Sequence, residues 1–203
     1  MKILLVGASG TIGKAVEAAI VKDHEIVYEV VTANYSSGDV QVDLGNPRSI
    51  QVMFDKVGKI DAIICTAGLV NFSPFTELGD TDYTQALENK LMGQINLVRF
   101  GSSSLNSGGS IILTSGVLSR EPMQGSTVIS MANGALESFV KAAALELDTF
   151  RLNVVAPIFV KETMAMMGMD TAAGLSAENT ANAYLAALTG TMHGETLDVS
   201  NYQ

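Results

Sequence analysis

The sequence lacks most of the residues that staple small proteins or bind metals. A single cysteine, Cys65, excludes an internal disulfide framework and any cysteine-rich zinc module. With only two histidines, His24 and His193, neither a histidine metal centre nor a Ser–His–Asp triad is expected, and no metal site is. Lys and Arg number 12 against 21 Asp and Glu, a formal net charge of −9, so the clustered cations that nucleic-acid phosphates need are missing. No apolar run approaches the roughly 18 residues of a membrane span. The opening MKILLVGASG passes from four apolar residues straight into a glycine loop, which is not the pattern of a signal peptide. The expected setting is therefore cytoplasmic. The expected partner is a small-molecule substrate, with no nucleic acid and no membrane.

What is present is a globular chain. Apolar residues make up 47% and charged residues 16%, which excludes a disordered chain. At 203 residues, against a prior of roughly 150 per domain, residues 1–203 are expected to form one domain. Short apolar β-branched runs read as buried strands at Lys2 to Val6, Ile26 to Val31, Val40 to Leu44, Ile60 to Thr66, Ser110 to Ser115, Leu152 to Ala156 and Thr196 to Val199. Between them lie helical spacings at Lys14 to Val21, Ile50 to Val57, Asp80 to Phe100, Ser130 to Leu147 and Ala177 to Leu188. Asn46-Pro47 is a helix-start signal. Strands alternating with helices over the whole length predict an α/β fold: a single-domain, doubly wound, Rossmann-like parallel sheet with helices on both faces.

The segment Val6 to Ala15, V-G-A-S-G-T-I-G-K-A, follows a strand and opens a helix, so backbone N–H groups and the helix N-terminus can meet a phosphate there. Two chemistries compete. Ala8 to Lys14 nearly spells the P-loop pattern, but Ala15 stands where a magnesium-binding Ser or Thr is needed, and Ala8 where the first glycine belongs. In the dinucleotide reading Gly7 permits the tight turn, Gly10 a close approach and Gly13 helix–strand packing.

Taken together these segments resemble the short-chain dehydrogenase/reductase family over nearly the whole chain. Gly7-Ala-Ser-Gly-Thr-Ile-Gly13 looks like the family's nucleotide loop. Asp43-Leu44 matches its Asp-Val/Leu pair, whose carboxylate meets adenine. Asp61-Ala-Ile-Ile-Cys-Thr-Ala-Gly68 matches D-x-L-V-N-N-A-G, with Cys65 and Thr66 replacing both asparagines. Gly109-Ser-Ile-Ile-Leu-Thr-Ser115 looks like the strand that delivers a catalytic Ser, and Arg151-Leu-Asn-Val-Val-Ala-Pro157 resembles R-V-N-x-V-x-P-G. Gly194-Glu-Thr-Leu-Asp-Val199 matches the terminal strand.

The resemblance implies a nicotinamide cofactor, NADP or NAD. Its phosphates would lie on Gly7, Ser9, Gly10, Thr11, Ile12 and Gly13, and its adenosine near Asn34, Asp43 and Leu44. Ala67, Gly68, Asn133, Pro157 and Val160 would complete the site. Val31-Thr-Ala-Asn34 offers no acidic residue for the ribose, while Asn34, Ser36 and Ser37 are neutral donors, which tilts the expectation toward NADP. The departure is catalytic. No Tyr-x-x-x-Lys occurs, and aligning Ala135-Leu136-Glu137 with the family puts Ile129 at the Tyr position and Asn133 at the Lys position.

The expected catalytic residues are therefore Ser115 and Lys90, the latter falling where the family's helix Asn belongs. The implied function is hydride transfer to or from a small carbonyl or alcohol. The alternative is a non-catalytic dinucleotide-binding protein, a sensor or partner, that has lost the proton relay. The Met-rich stretch Met164 to Met169 occupies the place of the family's substrate-covering loop, where flexible thioethers suit an apolar lid. His193 reads as an exposed loop residue. The helix from Ser130 to Leu147, apolar on several sides, predicts a homodimer or homotetramer.

Overall fold

A computed structural model of the chain describes residues 1–22 and 26–203; His24 lies outside them. The alternation read in the sequence resolves as β1 (Lys2–Val6), α1 (Thr11–Lys22), β2 (Glu29–Asn34), β3 (Val40–Gln41), α2 (Pro47–Val57) and β4 (Ile60–Cys65). After it come α3 (Asp80–Gln85), a π-helical turn (Ala86–Leu91), α4 (Met92–Gly101), β5 (Leu105–Thr114) and α5 (Thr127–Ala144). The chain ends with β6 (Arg151–Ala156), α6 (Lys161–Met166), α7 (Ala177–Thr189) and β7 (Thr196–Asp198). All seven strands are parallel, in the order β3-β2-β1-β4-β5-β6-β7.

The continuous apolar runs follow from burial on both faces. Leu4 and Val6 turn to the layer that holds Ile50, Phe54, Leu97 and Val140 of α2, α4 and α5. Ile3 and Leu5 turn to the opposite layer, against Val16 and Ile20 of α1 and Tyr184 and Leu188 of α7. A period-2 strand sandwiched between two helix layers needs apolar residues at every position. At α2 the Asn46 side chain accepts from the backbone N–H of Arg48 (3.0 Å) and Ser49 (3.4 Å), with Pro47 at the first helical position.

Several boundaries differ from the sequence expectation. The second strand begins at Glu29, not Ile26, because Leu4 pairs with Val31 and Val6 with Ala33; Ile26 and Val27 stay exposed. This brings Asn34 to the strand's end. The helix expected from Asp80 to Phe100 is interrupted by the π-helical turn, an irregularity that often marks functional sites. The helix expected from Ser130 runs from Thr127 to Ala144, leaving Leu145 exposed. His193 is not an exposed loop residue. Its Nδ1 accepts from the backbone N–H of Leu152 (3.0 Å), and its Nε2 faces the carbonyls of Ala144 (2.9 Å) and Leu147 (2.8 Å). The imidazole thus pins the end of α5 to the start of β6. No helix among the described residues is long and apolar enough to cross a membrane.

Candidate active site

In an open parallel sheet, ligands bind at the carboxyl edge where the strand order reverses. Here the reversal lies between β1 and β4, whose ends carry the Gly7–Gly13 loop and Thr66-Ala67-Gly68. Gly7 holds φ of +89°, in the left-handed region, and a Cβ there would meet Ala67 N at 2.8 Å. A Cβ on Gly13 would lie 2.0 Å from the Gly7 carbonyl oxygen. Helix α1 can therefore start this close to β1 only with glycine at position 13. Thr11 and Ile12 are half-buried in its first turn, while Ser9 and Gly10 are exposed.

A cleft of about 250 Å³ follows the loop, lined by Gly7, Ser9, Gly10, Asn34, Leu44, Ala67, Gly68 and Asn89 among others. Asn34 is buried, and its Oδ1 accepts from the backbone N–H of Ser9 at 2.8 Å, which fixes the loop's entrance to β2. Val42 and Leu44 floor the cleft. Asp43 between them folds its Oδ1 back to accept from Gly45 N–H at 2.9 Å.

At Thr66 this cleft meets a second one of about 260 Å³. Its walls are mostly apolar: Ile12, Val117, Leu118, Ile129, Pro157, Ile158, Phe159 and Val160. Its polar groups include Lys90, Asn133, Thr66 and Thr163. Asn133 is 2% exposed, and its Nδ2 makes a long contact of 3.4 Å to the Gly116 carbonyl. Its Oδ1 is buried with no partner. Such an orphaned acceptor costs about 1–3 kcal/mol unless a ligand donor meets it. The glycine cradle and this acceptor are what a dinucleotide with ribose hydroxyls would satisfy.

Lys90 rises from the π-helical turn. Its stem runs over Gly68, where a Cβ would lie 2.9 Å from Lys90 Cγ, so position 68 must be glycine for the amine to pass. Nζ reaches the Thr114 carbonyl at 3.3 Å, an oxygen already taken by Gln94 Nε2 at 2.9 Å. Burial holds the amine's pKa down to about 8, partly opposed by the Cys65 sulfur. Cys65 itself is pushed up to about 12 by burial, stays a thiol and donates to the Ala67 carbonyl.

Ser115 does not present its hydroxyl as expected. The Oγ–H donates to Glu137 Oε1 at 2.9 Å and the residue is 5% exposed. Glu137, one turn beyond Asn133 on α5, also accepts from Ser119 Oγ at 2.7 Å and pairs with Arg120, which in turn grips Asp198. The carboxylate competes for the serine proton more strongly than a neutral carbonyl could. Ser115 and Gly116 both border the cleft beside Asn133, and a Cβ on Gly116 would lie 2.9 Å from Asn133 Nδ2. The sequence places Ser115 at the end of its strand but does not say that Glu137 takes its proton, because strand periodicity alone does not say which partner a strand's last side chain meets.

The methionine stretch is divided. Met164 is buried against the fold, whereas Met166 and Met167 are exposed at the end of α6.

Comparison with known proteins agrees with this geometry. A family model described as enoyl-(acyl carrier protein) reductase matches residues 13–193. The chain belongs to the short-chain dehydrogenase/reductase family, whose members use a nicotinamide dinucleotide, NADP or NAD. Protein lin1944 of Listeria innocua has 40% identity and a TM-score of 0.92, covering 98% of this chain and 99% of that one. A small-chain dehydrogenase solved in complex with NADPH is 26% identical, with a TM-score of 0.84 over 98% of this chain and 95% of that one. An oxidoreductase of Methylorubrum extorquens is 27% identical over 200 residues, covering 86% of this chain and 81% of its own.

Proposed function

We propose that the chain is an NAD(P)-dependent oxidoreductase acting on a small, largely apolar carbonyl compound or alcohol. The observation that carries this reading is that two clefts adjoin at Thr66. They run from the glycine loop past the sheet's reversal and end in an apolar pocket holding a buried amine and an unpartnered amide oxygen. A bound dinucleotide would supply the hydride chemistry.

The chain's own residues have the remaining tasks. The backbone from Gly7 to Gly13 receives the pyrophosphate, aided by the helix dipole of α1. Asn34, Asp43 and Leu44 surround the adenosine, and the neutral donors Asn34, Ser36 and Ser37 make NADP the preferred form. Ala67 and Gly68 let the ribose pass close to the backbone. Asn133 Oδ1 accepts from a hydroxyl of the nicotinamide ribose, which gives that buried oxygen its partner. Pro157 and Val160 wall the nicotinamide end. Lys90 handles the proton that the family assigns to a Tyr–Lys pair, since Ile129 cannot. Ser115 acts as a positioning residue that ties β5 to α5 through Glu137.

Thermal-shift measurements with NADPH, NADH and Mg-ATP test the nucleotide half, and a panel of apolar ketones, enones and alcohols tests the catalytic half. Stabilisation by Mg-ATP alone would refute the dinucleotide reading. Dinucleotide binding with no turnover across the panel would favour a sensor instead.

A further inference from the structure

Lys90 is a buried ammonium with too few partners. One of its three N–H groups donates to the Thr114 carbonyl at 3.3 Å, and among the described residues no carboxylate pairs with it. Its titratable neighbour Cys65 is a neutral thiol bonded to a carbonyl, and Tyr184, across β5, shares its hydroxyl with Thr114 Oγ1 at 2.7 Å. Among the described residues nothing therefore neutralises the amine. A buried charge without a counter-ion costs several kcal/mol and is found where a ligand completes it. The amine borders the cleft, only 7% exposed, so an anion reaching it would leave water.

The surroundings say which anion. The walls opposite are Ile129, Val117, Leu118, Ile158 and Phe159, which reject a densely charged group. A phosphate or carboxylate needs several donors. Besides Lys90 the cleft offers no second cationic side chain among the described residues, and Thr66 Oγ1 points to the Val6 and Gly7 carbonyls and Ser115 to Glu137. One ammonium can match one oxygen whose charge is spread into an apolar ring or conjugated system.

We infer that Lys90 forms an oxyanion subsite for a phenolate or enolate, so that the substrates are hydroxyaromatic, enolisable or conjugated carbonyl compounds rather than simple ketones. The inference rests on the oxidoreductase reading above. The amine's lowered proton affinity brings it near that of phenols and enols, so such an anion can persist beside the ammonium, whereas a simple alkoxide is far more basic and would take the amine's proton.

The test uses 4-nitrophenol, whose phenolate has its own absorption band, in buffer below the probe's pKa so that the free probe is mostly neutral. The wild-type protein should bring up the phenolate band on binding, with the bound probe's pKa lowered by at least about one unit, a tenfold preference for the anion. Lys90→Met and Lys90→Gln should each lose that preference by at least tenfold. Binding of the probe as the neutral phenol, no binding at all, or a band that persists in both variants would overturn the inference. So would benzoate displacing the probe at lower concentration than 4-nitrophenol binds, since that marks a carboxylate site. NADPH-induced thermal shifts, measured in parallel, separate the two readings. A normal shift in Lys90→Met certifies its fold and leaves the dinucleotide reading standing whatever the probe does, whereas a wild type that responds to neither NADPH nor NADH fails that reading on its own account.

Discussion

Gly13→Ala is the sharpest perturbation of the nucleotide loop. The added Cβ would lie 2.0 Å from the Gly7 carbonyl oxygen and 2.8 Å from Ala8 Cα, both backbone atoms that no rotamer change can move. Helix α1 must shift outward by more than an ångström, and the loop N–H groups leave their common focus. Overpacking of this kind costs about 1–3 kcal/mol. At about 2–4 °C per kcal/mol for a chain of this size, the melting temperature should fall by about 2–12 °C. The diagnostic quantity is the ligand response. NADPH at 100 times its Kd stabilises a folded protein by about 2.7 kcal/mol, which is about 5–11 °C here. Wild type should show that shift and Gly13→Ala should not. Gly134→Ala is the control, because it sits inside α5 with nothing within 4 Å of its added Cβ. It should gain about 1 kcal/mol from helix propensity and keep the full NADPH shift. If Gly13→Ala retains both its melting temperature and the shift, the close loop–helix approach is not what builds the site.

Other perturbations probe the catalytic end and the assembly. The double change Ile129→Tyr with Asn133→Lys should raise carbonyl reductase rates by about 10²–10⁴-fold, and either change alone should do little, because an unassisted phenol stays near its ordinary pKa of about 10; equal gains from Ile129→Tyr alone would show that no lysine is needed. Lys90 binds its proton less tightly folded, with a pKa of about 8, than at its ordinary 10.5. Between these values the unfolded chain carries more protons, so stability should rise as pH increases from 8 to 10.5, at up to about 1.4 kcal/mol per pH unit. Lys90→Met should flatten that slope in chemical denaturation and be the more stable protein at neutral pH. A groove between the ends of α4 and α5 exposes parts of Phe139, Ala143 and Leu147 over buried Val98 and Phe150, and pairing of this face about a two-fold axis should give a light-scattering mass of at least twice 21.3 kDa that Phe139→Glu reduces. A monomeric wild type at micromolar concentration would exclude that assembly.

The alternation of apolar strands with helices, the parallel sheet and the glycine loop were readable because each rests on local physics. Strands buried on both faces must be continuously apolar, and a loop that brings a helix end against a strand must carry glycine at Gly7 and Gly13. That no Tyr-x-x-x-Lys occurs is likewise a plain fact of the sequence, whereas what stands near the reacting atoms instead depends on the fold. Tertiary structure decided what periodicity cannot encode. Sheet register moved β2 three residues along and so brought Asn34 to Ser9. Ser115 was turned to Glu137 because a carboxylate twenty-two residues away reached it from α5. The His193 ring, which the sequence leaves in a loop, became a bridge between α5 and β6. Lys90 is the sharpest case. The sequence marks it as a catalytic candidate only by its alignment with the family's helix Asn, and says nothing of its burial. It is buried because the π-helical turn and the bare backbone of Gly68 open a path into the cleft, and its lowered proton affinity comes from burial among segments distant in the chain.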